Sequence, residues 1–138
     1  MAPHWEHFEH DADLGVRGIG PTLADAYAQA ALAVTAAVTD PSQVALAEEV
    51  SVTVEAADPE ILLARFLNAM IAEMAMRHLL FGDVQVELAG HRLQARLRGE
   101  RVAVARHQPA VEVKGATLTE LRVAHRNGEW IAQTVVDV

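Results

Sequence analysis

Two carboxylates near opposite ends of the chain have the chemistry of a cation site. Asp13 lies in HFEHDADLG, just after His10, and Asp137 lies in the closing VVDV, followed by Val138. In a strand, successive side chains alternate between faces. Leu14 and Val16 then share one face, and Asp13 points the other way with Gly15 and Arg17. If the first and last strands are neighbours, Asp13, Asp137 and the oxygens of Val138 converge. Such oxygens repel one another unless a cation joins them, and oxygen-only ligation suits calcium or magnesium. The alternative is a pair of solvated carboxylates, one of them on a frayed terminus.

Other residues compete for attention. His4, His7 and His10 recur every third position beside Glu6 and Glu9. In a strand that spacing alternates faces, and no H-E-x-x-H pair accompanies it, so it does not read as a zinc cluster. Lys114 is the sole lysine, set in VEVKGAT. A compact ammonium suits phosphate or carboxylate in a way that guanidinium does not reproduce. His107 falls in an irregular stretch, either as a proton-exchanging group or as an exposed loop histidine. No phosphate-binding loop, dinucleotide glycine fingerprint or nucleophile elbow is present.

The elements that must position these groups are legible from periodicity. PTLADAYAQAALAVTAAV reads as a helix capped by Thr22 with Asp25 three residues on. Leu23, Tyr27, Ala30, Val34 and Val38 form its apolar face. VSVTVEA alternates as a half-buried strand. A second helix opens with Asp58 as N-cap and Pro59 at its first position. Its stripe is Leu63, Phe66, Leu67, Met70, Ile71 and Met74, and methionines at that spacing read as core before they read as a partner groove. Val84, Val86 and Leu88 alternate, a turn follows at Ala89-Gly90-His91, and Leu93, Ala95 and Leu97 alternate again. Residues 99–112 are less regular. Asn127-Gly128 marks a hairpin that puts Leu121, Val123, Trp130, Ala132 and Val136 on one face and Asp137 on the other. The expected fold is α+β: a single domain over residues 1–138, with two helices packed on one side of a mostly antiparallel sheet.

Composition bounds the function. The 138 residues are 51% hydrophobic, without cysteine, at a net charge of -8. That excludes a disulfide framework, thiolate ligands and a cysteine nucleophile. It also argues against broad nucleic-acid binding through an overall basic surface. No apolar run approaches the ~20 residues of a membrane span, and the first residues lack a signal-peptide plan. A cytoplasmic protein is expected. Between Arg92 and Lys114, six basic residues face only Glu100 and Glu112, leaving that segment +4 and the remainder -12. The segment reads as a solvated strand face or as a local surface for an anionic partner.

FEHDADLGVRGIGPTLADAYAQAALAVTAAVTD resembles the opening of the archease family, in which Glu-His-Thr-Ala-Asp precedes a small apolar pair, a helix and a Thr-Asp ending. His10, Ala12, Asp13, Gly15 and Thr39-Asp40 match, and Asp11 stands where threonine is usual. The resemblance runs on through LLARFLNAMIAEMAMRHLLF, LRGERVAVARH and VEVKGAT to VVDV, nearly the whole chain.

That resemblance implies a role as a non-enzymatic partner of the GTP-dependent RNA ligase of tRNA splicing, promoting its guanylylation and turnover. RNA contact would be indirect or transient. It also implies a calcium-type metal site, open to another divalent cation such as magnesium, with Asp13, Asp137 and a main-chain oxygen of Val138 as ligands. Lys114, His107 and His10 are the candidates for ligase activation. After VKGAT the family shows Tyr-His where this chain has Leu118-Thr119. The rival functions are a metal-dependent hydrolase, which would need a general base and a formed pocket, and a general chaperone-like interaction module.

Overall fold

Turn chemistry sets the first hairpin. β1 (His4–His10) and β2 (Asp13–Gly20) are joined by Asp11-Ala12, and Asp11 adopts φ 51°. Aspartate is among the few side chains that enter the left-handed region readily. The computed structural model describes all residues, Met1–Val138. α1 (Leu23–Val38) follows, its first turn closed by the Thr22 side chain accepting from the Asp25 amide at 3.1 Å. β3 (Glu48–Glu55) leads to α2 (Pro59–Arg77), where Asp58 accepts from the Glu60 amide at 2.7 Å. His78, at φ 55°, ends α2. β4 (Leu79–Ala89) and β5 (Arg92–Arg101) then pair around Gly90. The stretch expected to be irregular contains a short helix, α3 (Val104–His107). β6 (Gly115–Ala116), β7 (Arg122–Arg126) and β8 (Glu129–Asp137) complete the chain. β7 and β8 turn at Asn127 and Gly128 with φ of 55° and 77°, as the hairpin reading requires.

All strand pairs are antiparallel and the class is α+β, but the strands form two sheets rather than one. The first runs β1-β2-β8-β6, with β7 beside the other half of β8, and the second runs β3-β5-β4. Nor do the helices lie on one side of a single sheet: α1 contacts β2 and β8 of the first and β4 of the second. The cause lies in α1 itself. Ala26, Ala30 and Ala33 are buried, and so are Tyr27, Ala31, Val34, Thr35 and Val38, so apolar surface wraps most of the helix. A helix apolar nearly all round must be covered on more than one side.

Close approach makes this possible. A methyl group at Gly18 would overlap the Ala26 carbonyl oxygen and the Ala30 nitrogen. His7 donates from Nε2 to the Ala33 carbonyl at 2.8 Å on the same side. On the other side, buried Thr35 donates its hydroxyl to the Phe81 carbonyl at 2.7 Å. The core gathers Phe66, Leu63, Leu67 and Met70 of α2 with Phe81, Leu93 and Leu97. Met70 is therefore core, as its spacing implies. No helix is long and apolar enough to cross a membrane.

The segment between β5 and β6 is strapped over one end of this core. His107 is buried; its Nδ1 accepts from the Ala103 amide at 2.8 Å and its Nε2 meets Glu100 Oε2 at 3.0 Å. Glu100 also takes the Ala45 amide at 2.6 Å and pairs with Arg106. The Ala45 hydrogen bond, then those of Arg106 and His107, lower the Glu100 pKa to about 2. Thr39 donates to the His107 carbonyl at 2.6 Å, and the Ala110 amide donates to the Val38 carbonyl at 2.9 Å.

Gly18→Ala is expected to cost about 1–3 kcal/mol by overpacking α1 against β2, read as a lowered denaturation midpoint at an unchanged m-value. Glu100 has a depressed folded-state pKa, so its stabilisation is present above its unfolded value and is lost as pH falls through the folded one. Thermal melts of parent and Glu100→Gln should differ fully above about pH 4.5 and converge toward about pH 2. A constant difference across that window would place the effect elsewhere.

Candidate cation and docking site

Sheet register brings the two ends of the chain together. In the β2–β8 ladder Leu14 pairs with Val136, and one further step sets Asp13 opposite Asp137. His10 pairs with Asp13, and Gly115 pairs with Asp137. One end of the first sheet therefore carries a row: His10, Asp13, Asp137, Gly115. Directly opposed residues share a face. Arg17 bonds both Gln133, at 2.9 Å, and Glu6, at 3.3 Å, which fixes this face as the one bearing Asp13, Asp137 and His10. It is the face turned away from Leu14, Val16 and Val136, which pack in the core.

Lys114 joins the row through the backbone. Its amide donates to the Asp137 carbonyl at 2.8 Å, and its side chain is exposed. Val138 is half-buried against the core, so this strand end is held rather than frayed. The row has two signs of an incomplete polar environment. Two carboxylates stand in adjacent register, each outside the ion pairs of the molecule. His10 Nδ1 is buried without a hydrogen-bond partner, a state that native structures rarely tolerate. No group of three or more His, Cys, Asp or Glu side chains converges with metal-ligand geometry. A cation here would draw on the two carboxylates and main-chain oxygens such as that of Val138, a hard donor set that fits calcium or magnesium.

The remaining candidates are placed differently. His107 is neither exposed nor in an open loop: its ring is fully engaged by Ala103 and Glu100. Because Nδ1 accepts a backbone N–H, the proton resides on Nε2 and points to Glu100. His107 thus anchors the segment that ends at Lys114. The three N-terminal histidines separate, with His7 on the α1 side and His4 opposite Ile19, far from His10. The basic run is largely balanced within the second sheet. Arg98 lies opposite Glu49 and Asp83, Arg92 opposite Glu55, and Arg106 pairs with Glu100. The solvated-face reading describes it.

Sequence reasoning passed over two polar residues that shape this end of the fold. Glu100 interrupts a run of arginines, and Asn68 lies on the exposed face of α2, beside the apolar stripe. Asn68 bonds the backbone of Ala116 twice. Glu100 offered a signal, a lone carboxylate among arginines, whereas Asn68, a polar residue at an exposed helix position, offered none.

Comparison with known proteins agrees with this architecture. The model of the Archease protein family matches residues 5–138. Protein archease of Thermococcus gammatolerans is 40% identical over 97% of this chain and 98% of its own length. That of Pyrococcus furiosus is 33% identical with the same coverage. The solution structure of a Methanobacterium thermoautotrophicum protein superposes with a TM-score of 0.82 at 26% identity, covering 97% of this chain and 98% of that one. A Thermotoga maritima crystal structure, described as an archease and possible chaperone, shares the fold at a TM-score of 0.66 and 17% identity, covering 95% and 94% of the two chains. Matched by the family model along almost its whole length, the chain belongs to the archease family.

Proposed function

We propose that this protein is a non-enzymatic partner that activates a GTP-dependent RNA ligase of tRNA splicing, promoting its guanylylation and turnover through the end of the fold that carries Asp13 and Asp137. The observation that carries this reading is the convergence of family-matched residues from distant segments into one row: His10, Asp13, Asp137 and, through its backbone, Lys114. The Thermotoga maritima relative's description as a possible chaperone supports a partner role in the coarser sense.

A divalent cation of the calcium type, when bound, supplies concentrated positive charge at this end. The chain's own residues do the rest. Asp13 and Asp137 hold the cation, and β2–β8 pairing fixes their separation. Lys114, exposed beside Asp137, offers an ammonium to phosphate or carboxylate of the docked ligase. His10 offers an unpaired ring nitrogen next to Asp13. His107 acts at a distance, by holding the segment that delivers Lys114. Leu118, exposed where the family shows tyrosine, alters the rim of this surface. The rival hydrolase reading would use Asp13, Asp137 and a nearby histidine; His107 is already committed to Glu100 and Ala103, which leaves His10 as the histidine it could draw on.

Asp13→Ala should leave circular dichroism and the melting temperature near those of the parent, since this face carries little core packing, while ligase guanylylation falls to background. Full activation by the variant would remove the carboxylate from the mechanism. Hydrolysis of phosphoesters by the isolated protein would favour the enzyme reading instead. Calcium should raise the melting temperature by mass action, because only the folded chain assembles the ligands. At a hundredfold excess over Kd the gain is about 2.7 kcal/mol, or about 9 °C for a domain near this size. Asp137→Asn keeps the backbone bond to Lys114 and should erase that shift; a retained shift would locate the ion elsewhere.

A further inference from the structure

α2 reaches the candidate site through one side chain. Asn68 Oδ1 accepts from the Ala116 amide at 2.9 Å, and its Nδ2 donates to the Ala116 carbonyl at 3.2 Å. A primary amide thereby presents to Ala116 the donor and acceptor that a neighbouring strand residue would present. Asn68 is exposed on α2, so this contact is not a by-product of core packing.

The reason Ala116 needs such a partner lies in the β6–β8 ladder. The Lys114 amide donates to the Asp137 carbonyl, and the Thr117 amide donates to the Val135 carbonyl at 2.9 Å. Gly115 stands opposite Asp137 and Ala116 opposite Val136 in one-to-one register, so Ala116 is the position whose backbone groups turn away from β8. β6 is the last strand of its sheet, and those groups face an open edge. Asn68 meets them there.

We infer that Asn68 is a positioning residue for the Asp13–Asp137 site: by holding the short edge strand β6 at Ala116 it fixes Lys114 and the Asp137 backbone in register. The inference rests on the proposed function of that row for its consequence, though not for its geometry. An orienting partner outside a metal's own ligands is commonly worth 10–100-fold in affinity. The loss here is expected at the lower end, because Asn68 acts through one strand residue.

The test uses the full chain with Asn68→Leu, which keeps the branched outline and removes both bonds, and Asn68→Asp, which keeps only the acceptor. Three readouts are compared: amide hydrogen exchange at Lys114 and Ala116, the melting shift on titration with calcium alone, and ligase guanylylation. Asn68→Leu should melt within a few degrees of the parent. Its Lys114 and Ala116 amides should exchange about tenfold faster, and its calcium Kd should rise by about tenfold. Asn68→Asp should fall between the two in exchange at Lys114. Unchanged exchange at Lys114 in Asn68→Leu overturns the inference, and so does faster exchange with an unaltered calcium response. A parent protein that shows no calcium response would instead strike the cation reading. Exchange at Lys114 would then decide the positioning role by itself.

Discussion

β2 and β8 come from opposite ends of the chain, and bringing them together closes the longest loop in the molecule. Loop-closure entropy must be met before any contact across that ladder returns free energy. What meets it is the double role of β2. One face of β2 accepts α1 at glycine distance, and one edge accepts β8 along seven paired residues. Without α1 seated on Gly18, β2 is half of a marginal two-stranded ribbon. With it, β2 becomes the template on which the last strand registers. The first sheet, the burial of Val136 and Ala132, and the row of polar residues at the sheet end all follow from that single pairing.

The second sheet and the strap complete the arrangement from the other side of α1. Thr35 ties α1 to β4, and the Glu100–His107 cluster ties the start of the strap to the connection after α1. The strap then runs past Val38 to the row. The candidate site is therefore supported on three sides by elements whose own fixation is core packing or buried hydrogen bonding. Such support is what a polar constellation needs if its geometry is to survive thermal motion.

Much of this was legible in the sequence, for identifiable reasons. Thr22, Asp58 and Asn127-Gly128 act locally, so their caps and turn could be read without knowing the fold. Strand alternation correctly put Asp13 and Asp137 on polar faces. Their adjacency was not legible, because it depends on a long-range register that periodicity leaves open. The two-sheet arrangement was missed because reading α1 for one apolar face overlooked how many of its alanines are small enough to be buried on the other. His107 was misplaced because a histidine among arginines looks solvated until Glu100 and Ala103 are seen to close around it. Asn68 was invisible as a functional group, since its partner is backbone and backbone carries no sequence signal.

The tip of the first hairpin has a further meaning. Asp11 stands at φ 51° at the point where the family resemblance leads one to expect threonine. A β-branched side chain is a steric outlier in that region, whereas aspartate is enriched there. In this chain the substitution and the backbone agree, so the turn beside His10 and Asp13 is held by preference instead of by force. A loop already at rest in its folded shape has few conformations to surrender when a large surface closes over it. The entropic toll of any association at that point is correspondingly small.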